Sequence, residues 1–287
     1  MNIDQFIMQH EMPLRLGFFF GIFALMAGWE LLAPRRALTT SRLLRWSNNL
    51  GLVFFNSFIL RLLFPAAAVG MAVFANQQGW GLFNYREAPF LVAVMASVVI
   101  MDFIIYLQHV MVHAVPILWR FHRVHHADLD FDVTTGARFH PFEIILSMLI
   151  KFAVILLLGP PLVAVVIFEV VLSTTAMFNH ANVRLPQSID RWLRWIVVTP
   201  DMHRVHHSIH DDETNSNFGF NLPWWDRLFG TYRDQPRDGH QGMTIGIHRY
   251  REPKMVSWLP GMLVLPFVGR ITDYAINRRE WSEGNEN

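Results

Sequence analysis

The sequence predicts an all-α integral membrane protein. Three observations lead there. Hydrophobic residues make up 52% of the 287 positions and charged residues only 16%, against about 25% charged in ordinary soluble domains. Several apolar runs reach the roughly 20 residues that a helix needs to cross a bilayer core. The histidines fall in groups with helical spacing: HVMVH, HRVHH and HRVHH.

The expected elements follow in order. Leu14–Leu32 is a nearly unbroken apolar run with Arg15 and Glu30 at its ends. Leu50–Ala75 is a second span, interrupted by Asn56, Arg61 and Pro65, and Pro89–Val112 is a third. Phe142–Phe178 is too long for one span and carries Gly159-Pro160-Pro161 near its middle. Such a break ends one helix and starts another, so this stretch reads as a helical hairpin. The expectation is one domain over 1–287, with about three transmembrane helices (14–32, 50–75, 89–112) and the hairpin (142–178). Residues 113–141 and 179–253 form a cytosolic helical cap. The competing reading, core helices of a large soluble protein, fits the lengths of these runs poorly.

Met1–Met12 contains Asp4 and Glu11 and lacks a basic region, and no small-x-small site follows the first span. The first helix is therefore expected to stay rather than be cleaved as a signal peptide. Arg35, Arg36, Arg42 and Arg45 follow that helix, which places their loop in the cytoplasm by the positive-inside rule. Counting spans from there puts every histidine group on the same side, as expected for an inner, cytoplasmic membrane. Ser282–Asn287 reads as a polar tail. The net charge of +1 gives no reason to expect nucleic acid. The absence of cysteine excludes disulfides, thiolate metal sites and a cysteine nucleophile.

The histidine groups carry the chemistry. Residues three and four apart share a helix face, so His109 and His113 project together. In His122–His125–His126 and His203–His206–His207 the first histidine projects with at least one partner. If protonated, so many histidines would repel one another; if neutral, each would need a hydrogen-bond partner. A metal satisfies them directly, and neutral imidazole suits iron, zinc, copper and nickel. Few carboxylates fall within the groups, which argues against magnesium or calcium. HExxH, GxGxxG and GxxxxGK[ST] do not occur. His180 flanks the hairpin beside the groups and is taken as a ligand, with His140 a lesser candidate. Asp102, Tyr106, His109 and His113 share one helix face, and an acidic residue inside a membrane helix is costly and usually functional. Asp102 is expected to orient an imidazole, directly or through Tyr106, or else to serve packing. His10, His240 and His248 read as surface residues, and His210 is left outside the ligand set.

These residues resemble the fatty acid hydroxylase/sterol desaturase superfamily of membrane-bound, histidine-rich di-iron oxygenases, in particular its bacterial sterol-desaturase-like branch. Asp102–Tyr106–His109–His113 is similar to its first box and Trp119–His122–His125–His126 to its second. Arg138–His140–Pro141–Glu143 resembles the connecting segment, and Asn179-His180-Ala181-Asn182 the third site. Thr199-Pro200 before His203–His206–His207 resembles the last box, and Asn217-Phe218-Gly219 with Trp225–Thr231 the closing signature. The resemblance implies a metal set of His109, His113, His122, His125, His126, His180, His203, His206 and His207. Asp102, Tyr106, His140 and Asn182 would be supporting positions. It further implies two non-haem Fe ions and O2 as co-substrate, acting to hydroxylate or desaturate a membrane lipid. Electrons would come from a separate donor: a ferredoxin, a cytochrome b5-like protein or a reduced pterin. One departure is Ala176, where some members carry a histidine four positions before His180; it removes a ligand or leaves a coordination position open. A zinc-dependent lipid hydrolase and a histidine-rich metal transporter are the rival readings. The aromatic stretch Asn217–Tyr232 is expected to pack the cap against the metal-bearing helices, with a lid or interfacial belt as the alternative.

Overall fold

A computed structural model describes residues 3–86, 88–269 and 276; the polar tail 282–287 lies outside them. The elements among the described residues are helices, with three isolated β-bridges joining loops. The α-helices begin, in chain order, with α1 (Ile3–Leu32), α2 (Arg42–Leu63), α3 (Ala67–Gln77), α4 (Leu82–Tyr85), α5 (Phe90–Ala114) and α6 (Pro116–His126). Then come α7 (Pro141–Leu158), α8 (Leu162–Asn179), α9 (Gln187–Leu193), α10 (Pro200–His206), α11 (Asp211–Thr214) and α12 (Trp224–Phe229). Among the described residues, five segments are long and apolar enough to cross a membrane: α1, the run from Arg42 to Tyr85, α5, α7 and α8.

The second span differs from its expected bounds. Its helix begins at Arg42, where the Ser41 hydroxyl accepts from Leu44 N, and ends at Leu63. Pro65 has no N–H to continue the ladder, and the chain resumes as α3. The early start has a physical cause. Arg45, Asn49, Leu52 and Asn56 lie on one helix face and are buried. Arg45 is fully enclosed, bonds Asp128 at 2.8 and 2.7 Å, and also pairs with Asp132. Arg35 pairs with Asp201. Two of the four arginines used to orient the chain are thus bound to cap carboxylates.

The hairpin turns at Gly159, in the left-handed conformation (φ 59°), and Pro160-Pro161 leads into α8. A Cβ at Gly159 would come within 2.4 Å of the Trp80 carbonyl, so the backbone of the preceding loop needs glycine there. α8 packs along α1 and against α5, while α3 packs on α7 and α8. Their shared core includes Ala68, Ala72, Met101, Ile155, Val165 and Phe168.

The cap does not sit wholly above the spans. Trp225 Nε1 donates to Asp102 Oδ2 at 2.7 Å, and Phe229 stacks on Tyr106 at 5.6 Å. Asp102 is halfway along α5, a helix of 25 residues or about 37 Å. α12 therefore packs two turns below His109. Trp192, Trp195 and Leu228 remain exposed on the same flank, a placement that suits a membrane interface.

Candidate metal centre

Helix ends deliver the histidines. α5 ends with His109 and His113 on its inner face, and Pro116 opens α6 one short turn later. Proline suits that first helical position because no N–H is lost. α6 carries His122, His125 and His126 in its last turns. His180 caps the C-terminus of α8. Thr199 caps α10, with Pro200 in its first turn, and the helix then presents His203, His206 and the adjoining His207.

These nine imidazoles form two adjacent sets. His109, His113, His122, His126 and His206 make one, and His125, His180, His203 and His207 the other. Within each set the candidate ligand nitrogens lie within 4.8 Å of one another, and every residue is buried. Each HxxHH group divides. The i and i+4 histidines stay together, His122 with His126 and His203 with His207. The middle one, His125 or His206, crosses to the other set. The segments therefore interlock: neither set forms without both α6 and α10.

The outward nitrogens are fixed by acceptors. His109 Nδ1 donates to Phe218 O at 2.8 Å, His206 Nδ1 to Ser216 O at 2.7 Å and His180 Nδ1 to Ala176 O at 2.8 Å. His122 Nδ1 meets Glu143 Oε1 at 2.7 Å, and His113 Nδ1 meets Asn215 Oδ1 at 3.1 Å. A carbonyl only accepts, so the proton sits on Nδ1 and the Nε2 lone pair points inward. At His109, His113 and His206 the buried Nε2 has no protein partner, and at His207 neither ring nitrogen has one. Nitrogens of His122 and His126 face each other at 3.2 Å, as do those of His125 and His180. Burial, reinforced by neighbouring imidazoles, holds His125, His126, His203 and His207 well below the ordinary histidine range. Burial pushes His180 down to about 3. Convergent neutral imidazoles with orphaned buried lone pairs are the donor set of a transition metal, and the residues fit one ion per set.

The supporting candidates lie elsewhere. Asp102 accepts from Trp225 rather than from an imidazole, because it is two helical turns from His109. Tyr106 meets Thr231 Oγ1 at 3.1 Å. His140 lies outside both sets; it caps α7 through Phe142 N and faces Leu263 O. Asn182 binds the backbone of Arg36 through its amide. His240, expected at the surface, is buried 3.7 Å from Asp201. His210 pairs with Asp238, and His248 is exposed. Glu143, Asn215, Ser216 and Phe218 were not expected among the groups holding the rings. Glu143 carried a sequence signal, as a carboxylate in a membrane-length run; the backbone carbonyls carried none. The aromatic stretch packs as expected: Asp226 accepts from Phe218 N and Gly219 N, which fixes the loop that seats His109.

Residues 94–231 match the model of the family described as fatty acid hydroxylase. That interval holds both imidazole sets and the acceptors that orient them. This interval, just under half of the chain, is similar to the fatty acid hydroxylase superfamily. The chain is 34% identical over 149 residues to ornithine lipid hydroxylase OlsE of Rhizobium tropici, covering 52% of this chain and 44% of that protein. It is 31% identical to the alkylglycerol monooxygenase of Xenopus tropicalis, over 54% of this chain and 33% of that one. The cholesterol 25-hydroxylase of Rattus norvegicus is 28% identical, over 53% and 51%. The chain thus spans about half or less of the length of these superfamily members. No solved structure matches it.

A cavity of about 290 Å³ adjoins the imidazoles. His109, His122 and His125 line one end, and it continues between α5, α7 and α8 past Ala176 and Phe139. Ala176 gives its carbonyl to His180, and its side chain leaves open the space that a longer residue would fill.

Proposed function

We propose that the protein is a membrane-bound non-haem di-iron oxygenase that uses O2 and external electrons to hydroxylate or desaturate a lipid. The observation that carries this reading is the pair of interlocked, buried, all-imidazole sets beside one cavity. The named relatives, which are lipid hydroxylases and monooxygenases, support it. His109, His113, His122, His126 and His206 would hold one iron, and His125, His180, His203 and His207 the other. When bound, the metals supply O2 activation for attack on an unactivated C–H bond.

The chain's own residues do the rest. Glu143, Ser216 O, Phe218 O and Ala176 O fix the ring planes, so little reorganisation is needed. The cavity would hold a substrate carbon beside His109, His122 and His125, which line it. A substrate held there is delivered from the membrane, since the cavity lies among spanning helices. An electron donor (a ferredoxin, a cytochrome b5-like protein or a reduced pterin) would approach the cap, which we place on the cytoplasmic side.

The test is turnover on a membrane lipid extract, with products read by mass spectrometry. Oxidised lipid should form only with both O2 and reductant present. Oxygen-independent lipid hydrolysis with zinc would overturn the proposal.

A further inference from the structure

α9 is inverted relative to a helix in water. Ile189, Trp192, Leu193 and Ile196 recur at helical spacing and form one apolar face. The face continues past Leu193 through a turn in which Ile196 N and Val197 N donate to Leu193 O. It points outward: Trp192 is 74% exposed, Ile196 65% and Ile189 53%. The polar side points inward. Asp190 and Arg194 are buried and pair with each other, and Arg194 also reaches Tyr232 and Asp234. A surface helix of a soluble fold does the opposite, turning its apolar stripe to the core and its ions to water. An outward apolar face of this kind marks a contact with a membrane or a partner.

Its position indicates a membrane. Both ends of α9 are fixed to elements of the spans. The entry follows Val183, which bridges to Pro34 just past the end of α1, where Arg35 N donates to Asn182 O at 2.7 Å. The exit is held by α12: Trp224 Nε1 donates to Trp195 O at 2.7 Å, and Arg227 to Arg194 O at 3.2 Å. α12 in turn is tied to the middle of α5 through Trp225 and Asp102. The outward face thus lies between the end of α1 and α12, where Leu32 and Leu228 are exposed as well. The charges agree. Arg184 and Arg191 flank the face, exposed and unpaired among the described residues. Tryptophan and aliphatic side chains on one face with arginines beside them compose a helix that lies in a bilayer interface, its arginines reaching the lipid phosphates.

We infer that α9 is a monotopic anchor seated in the phospholipid leaflet on the cap side, with Ile189, Trp192 and Ile196 below the phosphates and Arg184 and Arg191 among them. The anchor serves the metal centre. His109 and His113 end a spanning helix, α6 follows it directly, and His180 caps another. α10 has no span of its own, and α9 is the element that joins it to α8. Seating α9 in the leaflet therefore moors His203, His206 and His207 against the other imidazoles. The inference is independent of which reaction the centre performs.

The chain has no cysteine, so single nitroxide labels can be placed on the full-length protein in phosphatidylcholine nanodiscs. Ile189→Cys and Ile196→Cys, both at exposed positions, are labelled singly, with Arg237→Cys as the aqueous reference on the cap. Collisions with O2, which enters hydrocarbon, and with a nickel chelate, which stays in water, give each label its depth. The two α9 labels should lie about 5–10 Å below the phosphates, the depth of an interfacial helix, and the Arg237→Cys label should favour nickel. Nickel access at Ile189→Cys and Ile196→Cys equal to that at Arg237→Cys overturns the inference. So does exclusion of both reagents with spin–spin broadening, the mark of a second copy covering the face. Mooring is read by hydrogen exchange. Ile196→Asp should speed exchange across α10 by roughly tenfold, the effect of losing one buried apolar side chain, and leave α5 and α7 unchanged. Trp192→Ser should act in the same direction and serves if Ile196→Asp does not fold. Unchanged exchange at α10 in these variants overturns the mooring role.

Discussion

Single imidazoles here are defined by their acceptors as much as by their lone pairs. Among the described residues, Glu143 is the one carboxylate that bonds an imidazole of the two sets, and it holds His122 at 2.7 Å. Glu143→Leu should lower metal affinity about 10–100-fold, the usual cost of losing such a support, while the helices stay folded. Equilibrium metal titration reads the first, and circular dichroism the second. The buried histidines also set an acid limit. His125, His126, His203 and His207 are held well below the ordinary histidine range by burial, and His180 at about 3. An unfolded chain takes up protons near pH 6.5, where the native state does not. Stability therefore holds above that pH and falls as the solution is acidified, by up to about 1.4 kcal/mol per pH unit for each such histidine. Thermal unfolding of the metal-free protein should show a declining midpoint from pH 7 to pH 5; a flat profile would contradict neutral burial.

At the level of elements, spacing carried most of the information. HxxxH on α5 and the HxxHH groups on α6 and α10 converge, and the Gly159-Pro160-Pro161 turn divides the hairpin. Other features depended on long-range contacts and left no local pattern. Arg45 reads as a loop cation until Asp128 and Asp132 enclose it, which also explains why α2 starts early. Asp102 reads as a support for His109 until Trp225 arrives from 123 residues away. His140 and Asn182 lie next to ligand-like sequence yet bond backbone. Gly136 is a further case, because only the fold brings its α-carbon against α8. A Cβ there would meet Ala176 O at 2.5 Å and His180 Nδ1 at 3.0 Å. Gly136→Ala should displace His180 and weaken metal binding at the second set more than at the first. Metal titration followed by spectroscopy of the partly loaded protein reads that difference, and unchanged binding would place Gly136 outside the support of the site.

Across the whole molecule, one cap closes over five apolar spans and sinks partly among them. Arg35 and Arg45 tie the early helices to Asp201, Asp128 and Asp132, so the cap and the loop after α1 share a side. The absence of cysteine makes topology simple to probe. Introduced singly, Gln78→Cys should be labelled by an impermeant maleimide from outside intact cells, and Arg237→Cys only after permeabilisation. The reverse pattern would put the metal centre on the outer face.

Because His125 and His206 each cross between segments to complete the opposite set, the number of sites can be counted directly. Iron per chain, measured in the purified wild type, His206→Ala and His125→Ala proteins, tests this most sharply. We expect two irons in the wild type and about one in each variant, with membrane insertion unchanged. A wild-type protein holding a single ion, or variants that keep the full complement, would mean that the imidazoles do not form two metal positions.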